Sequence, residues 1–122
     1  MFDTSRPVVV ITGVSSGIGR AAARRLLADG AQVIGVGRDP RRTAEATAEL
    51  QEAARAGGGT CLMLRADFAL MAEVARTVDA IKEHAPHVDV LVNNAGGVRD
   101  RRIVTAEGTE ATFAVNHLAP FC

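Results

Sequence analysis

The segment VVVITGVSSGIG, residues 8–19, decides the fold of this chain. Its first four residues are apolar and β-branched, which is typical of a strand buried on both faces of a parallel sheet. The glycines that follow let the backbone turn sharply out of the strand, because they lack a Cβ atom. Apolar residues at helical spacing begin at Ile18. The segment therefore predicts a strand, a tight turn and a helix.

The alternation of strand and helix continues along the whole sequence. Apolar runs predict strands at 8–11, 32–37, 61–64 and 88–92, and helical spacing predicts helices at 18–29, 40–56 and 69–83, with a final helix that begins near Glu107 and is still running at Cys122. Such alternation specifies parallel strands joined by right-handed crossovers. The sequence predicts an α/β fold, a three-layer, doubly wound sheet of the Rossmann type with strand order 3-2-1-4. We expect residues 1–122 to be one domain, the N-terminal half of that fold, which stops within the helix after strand four.

Composition excludes several classes of partner. Fourteen basic residues balance 14 acidic ones, so no net charge attracts nucleic acid or an anionic membrane. Short arginine clusters at 41–42 and 99–102 are interpreted as solvated surface. No apolar run reaches the roughly 18 residues of a membrane span, and the N-terminus does not resemble a signal peptide. The cysteines, Cys61 and Cys122, form neither a disulfide framework nor a metal site, so we expect a cytoplasmic protein without metal.

The glycine turn has the context of a phosphate-binding site. Its glycines, Gly13, Gly17 and Gly19, are spaced G-x-x-x-G-x-G. A backbone that leaves a buried strand and enters a helix at this point brings unpaired amides to an anion, at the positive end of the helix dipole. An ordinary tight turn is the alternative, but the position after the first strand favours a dinucleotide pyrophosphate.

The end of the second strand indicates which dinucleotide is bound. An acidic residue there would bind the ribose hydroxyls of NAD, and the sequence instead has Gly37, Arg38 and Asp39. Glycine removes a carboxylate that would repel a phosphate, and the guanidinium of Arg38 suits the 2′-phosphate of NADP. We therefore favour NADP over NAD. The alternative is that Arg38 lies in solvent and Asp39 binds the ribose.

Three motifs in the same order resemble the classical short-chain dehydrogenases/reductases. Thr12 to Gly19 resembles their cofactor loop, Asp67 the acidic residue after strand three, and Asn93 to Gly96 their NNAG segment after strand four. The resemblance covers residues 7 to 122. It extends to the retinol dehydrogenase and protochlorophyllide reductase branch through Thr105-x-Glu107-Gly108-x-Glu110, Phe113 and Asn116-His117-Leu118-x-x-Phe121.

This resemblance implies site residues. It places around the cofactor Gly13, Ser15, Ser16, Gly17, Ile18 and Gly19 at the ribose and phosphates, Asp67 and Phe68 at the adenine, and Asn93, Ala95 and Gly96 beside the ribose, with Asn93 also fixing the central sheet. Asn116 matches the asparagine of the catalytic tetrad, whose main-chain carbonyl anchors a water. The family's serine and Tyr-x-x-x-Lys have no counterpart here, and the chain contains no tyrosine. Since tyrosine is the proton donor, we expect this chain alone to be inactive.

The sequence thus favours an NADP-dependent oxidoreductase that, when complete, acts on a small carbonyl or alcohol substrate. A truncated, non-catalytic NADP(H)-binding module is the alternative. A Rossmann-like domain for another adenine ligand, such as a methyl donor, is disfavoured by the NNAG segment. An uncovered edge on strand four would also promote self-association, so a homo-oligomer is a further expectation.

Overall fold

The computed structural model describes residues 2–3, 5–97 and 100–121. Four parallel strands, β1 (Val8–Thr12), β2 (Gln32–Gly37), β3 (Thr60–Arg65) and β4 (Val90–Val92), form one sheet in the order β3-β2-β1-β4. Helices α1 (Gly17–Ala28), α2 (Pro40–Gly57) and α3 (Met71–His84) connect them. The predicted fold class and strand order are therefore confirmed.

The strands supply a core to each face of the sheet. Side chains alternate between faces along a strand, so Val9 and Ile11 of β1 pack with Leu27 of α1 and Leu50 of α2, all buried. On the other face lies a second buried cluster: Phe2, Val8, Val10, Ile34 and Ala85, with Ile81 of α3 packed against it. This two-sided burial explains why residues 8–11 of β1 and 33–37 of β2 carry no polar side chain, and it produces the three layers.

The last helix begins later than the sequence predicted. It starts at Ala111 rather than near Glu107 and runs as α4 (Ala111–Phe113), a π-helical segment over Ala114–Leu118 and α5 (Ala119–Phe121), which together we call the terminal helix. Gly108 has φ +81°, which breaks a right-handed helix at that point. The Glu110 side chain then caps the helix by accepting from the Thr112 and Phe113 amides. The predicted end at Cys122 lies outside the described residues.

Strand β4 is shorter and more exposed than expected. It begins at Val90 rather than Val88, and Val90 and Leu91 are 47% and 56% exposed. In the part of the chain that the structure describes, no strand pairs with its far edge. The apolar surface that the sequence analysis linked to self-association is therefore present, while the oligomeric state stays a prediction.

A buried glutamine fixes the segment that precedes β1. Gln32 is fully buried at the start of β2. Its Oε1 accepts from the Asp3 amide at 3.1 Å, and its Nε2 donates to the carbonyl oxygens of Asp3 and Arg6, each at 2.9 Å. A buried polar side chain is stable only when its groups are paired in this way.

Replacing Gln32 with leucine keeps the volume and removes all three hydrogen bonds. We expect Gln32→Leu to lower the free energy of unfolding by about 2 kcal/mol, because backbone groups lose their partners. Urea denaturation followed by circular dichroism measures this loss. Gln51→Leu is the matched control, since Gln51 is exposed and gives up a single bond to the Cys61 carbonyl. An equal loss in both variants would contradict the structural role of Gln32.

Candidate functional site

A cavity of about 420 Å³ lies where the carboxyl ends of the four strands meet. Its lining comes from the segments that follow β1, β2, β3 and β4 and from the terminal helix. Doubly wound sheets bind ligands in this crevice, where strand order reverses on either side of β1. The volume falls within the range of small-molecule and cofactor sites, roughly 300–1,000 Å³.

The glycine turn is shaped by close backbone contacts. Gly13 has φ +75°, and a Cβ on it would lie 2.9 Å from the Ala95 Cα. A Cβ on Gly19 would overlap the Gly13 carbonyl oxygen and the Asn94 side-chain nitrogen. That same Asn94 Nδ2 donates to the Gly13 carbonyl at 3.1 Å. Two of the glycines thus bring the start of α1 directly against the segment after β4.

The third glycine of the turn is open to solvent. Gly17 has φ +60°, and a Cβ on it would meet no atom within 4 Å. Its neighbour Ser16, at the N-cap of α1, makes no side-chain capping bond. Within the described residues the amides of Gly17 and Ile18 have no protein acceptor. This N-terminus therefore retains its capacity to bind an anion.

Two arginines line the cavity beyond β2. Arg38 and Arg42 are both exposed to it, and Asp39 lies between them in the sequence. Asp39 is the N-cap of α2: its Oδ1 accepts from the Arg42 amide at 2.8 Å, and this bond lowers the pKa of the carboxyl group. In the sequence, Arg42 belongs to a short arginine cluster that is typical of solvated surface. Its place three residues after a capping Asp39 was the signal that could have identified it.

Gly37 has a packing role as well as an electrostatic one. A Cβ there would overlap the Thr43 Oγ1 and lie 3.2 Å from the Ser15 Cβ. The absence of a carboxylate at this position is thus enforced by the approach of α2 to the β1–α1 turn. Sequence alone attributed it to phosphate binding.

The segment after β3 forms the opposite wall. Asp67 and Phe68 are half-buried and line the cavity. The Asp67 Oδ1 accepts from the Ala69 amide at 3.0 Å, and its amide donates to Glu73 Oε1 at 2.9 Å. These bonds fix the wall before α3 begins.

The segment after β4 is held by two side chains. Thr12 Oγ1 accepts from the amides of Asn94 and Ala95, at 3.1 and 2.9 Å. Asn116, in the π-helical segment, accepts from the Gly97 amide at 3.0 Å and donates to the Gly97 carbonyl at 2.7 Å. The terminal helix is thereby joined to the cavity wall.

The structure brings together only some of the residues predicted from sequence. Those lining the cavity are Gly13, Ser15, Ser16, Arg38, Asp67, Phe68, Ala95 and Gly96, and those outside the lining are Gly17, Ile18, Gly19, Asn93 and Asn116. Ile18 is 83% exposed, and Asn94 rather than Asn93 faces the cavity. Gly37 and Asp39 also line the cavity, and the sequence had indicated Asp39 as the alternative ligand for the ribose. The lining residues not assigned from sequence are Val36, Arg42, Ala66, Asn94, Gly97, Ala111, Thr112 and Val115. No sequence pattern identified the three lining residues of the terminal helix, whose start was predicted too early in the chain.

Other chemistries find little support in the described residues. Among them, no group of three or more His, Cys, Asp or Glu side chains could hold a metal ion. Burial raises the pKa of the Cys61 thiol to about 11, so it is a neutral core side chain. None of the helices described is both long and apolar enough to span a bilayer.

Comparisons with known proteins agree with this architecture. A family model described as short chain dehydrogenase matches residues 7–122. The chain is 45% identical over 113 residues to a protein of Streptomyces sp. (strain C5) assigned as a daunorubicin C-13 ketoreductase, covering 93% of this chain and 38% of that protein. Retinol dehydrogenase 14 of Mus musculus is 40% identical over 121 residues, covering 93% and 36%.

A solved structure is similar in the same region. The short-chain dehydrogenase from Sphingobium yanoikuyae in complex with NADPH is 33% identical and superposes with a TM-score of 0.74, over 93% of this chain and 43% of that one. The chain thus spans less than half the length of the relatives it matches. From the family match and the shared sheet we conclude, as the sequence motifs indicated, that this chain belongs to the short-chain dehydrogenase/reductase family.

Proposed function

We propose that the complete protein transfers hydride between NADP(H) and a carbonyl or alcohol carbon of a small molecule, and that residues 1–122 supply most of the cofactor-binding surface. The observation that carries the proposal is a cavity with one uncapped helix N-terminus and two arginines, at the carboxyl edge of a parallel sheet. A dinucleotide with an additional phosphate matches that arrangement of positive charge.

The pyrophosphate is assigned to the start of α1. The amides of Gly17 and Ile18 are unpaired there, and the open space at Gly17 admits a ligand to the backbone. In this assignment Ile18 contributes its main chain, which agrees with the exposure of its side chain to solvent. Gly13 and Gly19 act by allowing the turn itself.

The 2′-phosphate of NADP is assigned to Arg38 and Arg42. Both are permanently charged and both line the cavity beyond β2. One carboxylate oxygen of Asp39, the alternative ligand for a ribose, already accepts the hydrogen bond that caps α2. Since Gly37 brings no charge of its own, the site favours NADP over NAD.

The remaining predicted contacts follow the walls of the cavity. Asp67 and Phe68 are proposed to hold the adenine, and Asn93, Ala95 and Gly96 to lie along the ribose. Of these, Asn93 lies outside the cavity lining, so its contribution rests on the family resemblance alone. Asn94 is the better-placed side chain, because it reaches the Gly13 carbonyl.

The chemistry divides between the cofactor and the protein. Bound NADPH supplies the hydride, and this chain's residues bind and orient it. Asn116 is proposed to offer its main-chain carbonyl to a water, while its side chain holds Gly97. The proton donor would come from a segment outside these 122 residues, which contain no tyrosine. The names of the relatives, a ketoreductase and a retinol dehydrogenase, support a carbonyl or alcohol substrate.

The assignment of Arg38 and Arg42 is tested by comparing NADPH with NADH. We expect Arg38→Gln to weaken NADPH binding by roughly tenfold to hundredfold, because a charge-assisted hydrogen bond contributes about 1.5–3 kcal/mol. NADH binding should change little, and Arg42→Gln should act in the same direction. Dissociation constants from cofactor fluorescence or calorimetry measure both.

Arg41→Gln is the control for these variants. Arg41 is the neighbouring arginine, pairs with Glu45 at 3.4 Å and does not line the cavity. It should leave both dissociation constants unchanged. If wild-type chain shows no saturable binding of NADPH at millimolar concentration, the proposed function fails. If Arg38→Gln weakens NADH as much as NADPH, the 2′-phosphate assignment fails instead.

The assignment of the pyrophosphate is tested at two matched glycines. Gly17→Ala and Gly58→Ala both place a Cβ at positive φ in open space, so each should cost about 1–2 kcal/mol of stability. Gly58 ends α2 away from the cavity. We expect only Gly17→Ala to weaken NADPH binding, by tenfold or so, since its methyl group enters the space given to phosphate. Equal binding by the two variants would overturn the assignment.

A further inference from the structure

The motif Thr105-x-Glu107-Gly108-x-Glu110 is not explained by cofactor contacts. None of its residues lines the cavity. Thr105 and Thr109 close a turn in which the Thr105 amide donates to the Thr109 carbonyl at 2.8 Å. The Thr105 hydroxyl accepts from the amides of Glu107 and Thr109, and Gly108 supplies the positive φ. The motif is therefore a compact turn that presents one glutamate inside it and another at its end.

Glu107 caps a helix that cannot cap itself. The N-cap of α3 is Leu70, which has no side-chain acceptor. The Glu107 Oε1 accepts from the Met71 amide at 2.7 Å, and its Oε2 accepts from the Ala72 amide at 3.1 Å. A carboxylate at this position also complements the helix dipole. The first turn of α3 is thus fixed by a residue far along the chain.

Glu110 does the same for the terminal helix. Its Oε1 accepts from the Phe113 amide at 2.9 Å and its Oε2 from the Thr112 amide at 3.1 Å. The bond from the Phe113 amide, and to a lesser extent that from the Thr112 amide, lowers the pKa of the carboxyl group. The Ala111 amide also donates to the Ile103 carbonyl at 2.7 Å. One turn therefore caps two helices.

Both capped helices are linked to the cavity lining. Asp67 and Phe68 lie just before α3, while Ala111, Thr112 and Val115 of the terminal helix also line the cavity. The Glu73 side chain ties the first turn of α3 back to the Asp67 amide. A shift of either helix start would change the distance between these walls. We call residues 103–110 the clasp.

We propose that Glu107 and Glu110 are positioning residues that hold the two walls of the adenine end of the cavity at a fixed separation. The inference rests on the proposed function, because adenine is taken as the occupant of that space. Neither glutamate needs to touch the ligand. Their effect on affinity follows from pre-organisation, since a site held in its bound geometry pays less to order on binding.

The test compares Glu107→Gln with Glu49→Gln in the same chain. The first variant keeps the shape but loses the charge and one acceptor of the clasp. The second weakens the pair between Glu49 and Arg20, 2.7 Å apart, and neither of these residues lines the cavity. Dissociation constants for NADPH and for adenosine 2′,5′-bisphosphate are measured at low temperature, where every variant is folded by circular dichroism.

We expect Glu107→Gln to weaken both ligands by a similar factor of about fivefold or more, because they share the adenosine half. Glu49→Gln should bind both as the wild type does. A wild-type affinity in Glu107→Gln would overturn the inference while leaving the proposed function intact. If Glu107→Gln does not fold, Glu110→Gln replaces it with the same expected result.

Amide hydrogen exchange of the free protein tests the positioning role of Glu107 without a ligand. Loss of an ordinary local cap would speed exchange in the first turn of α3 alone. The clasp requires that Glu107→Gln also speeds exchange at 111–114, in the terminal helix. Exchange confined to α3 would overturn the inference even if NADPH binds, and absence of wild-type binding would refute the proposed function separately.

Discussion

The close approach of α1 to the segment after β4 is the constraint on which the site depends. At Gly19 the helix lies so near the Gly13 carbonyl and the Asn94 side chain that no Cβ could be accommodated. This contact joins two parts of the chain that flank the central strand. It aligns the start of α1 with the carboxyl edge of the sheet and so places the turn at the cavity. The contact therefore holds together the two segments that bring Gly13 and Asn94 to the cavity lining.

The helix N-termini around the cavity differ in how they are satisfied. Asp39 caps α2, Glu107 caps α3 and Glu110 caps the terminal helix. Among the described helices only α1 lacks a side-chain acceptor at its N-terminus. Carboxylates at three helix starts leave one place where the positive end of a helix dipole faces an unfilled space. Among the helix starts that the structure describes, only that of α1 is thus left without a carboxylate.

The sequence predicted most of the fold because β1 and β2 are buried on both faces and are therefore largely apolar in sequence. It failed where tertiary contacts set the boundary. The terminal helix was predicted to begin near Glu107, whereas it begins at Ala111 and the Glu107 carboxylate caps α3. For the site, the glycine turn and Arg38 were recognisable from local pattern. Asn94 was not, because its place at the cavity depends on its contact with Gly13, far away in the sequence. Arg42 was overlooked, although its position three residues after the capping Asp39 is a local signal.

The position of β1 in the sheet also determines the order in which the chain can assemble during synthesis. Its pairing with β2 needs residues only up to Gly37, but its other neighbour begins at Val90. At a translation rate of about 5–20 residues per second, the 52 residues between Gly37 and Val90 take roughly three to ten seconds to appear. During that interval a largely apolar strand has one edge without a partner, which is a template for aggregation. Because β1 is synthesised well before its neighbour β4, the chain is most prone to misassembly while it is still on the ribosome.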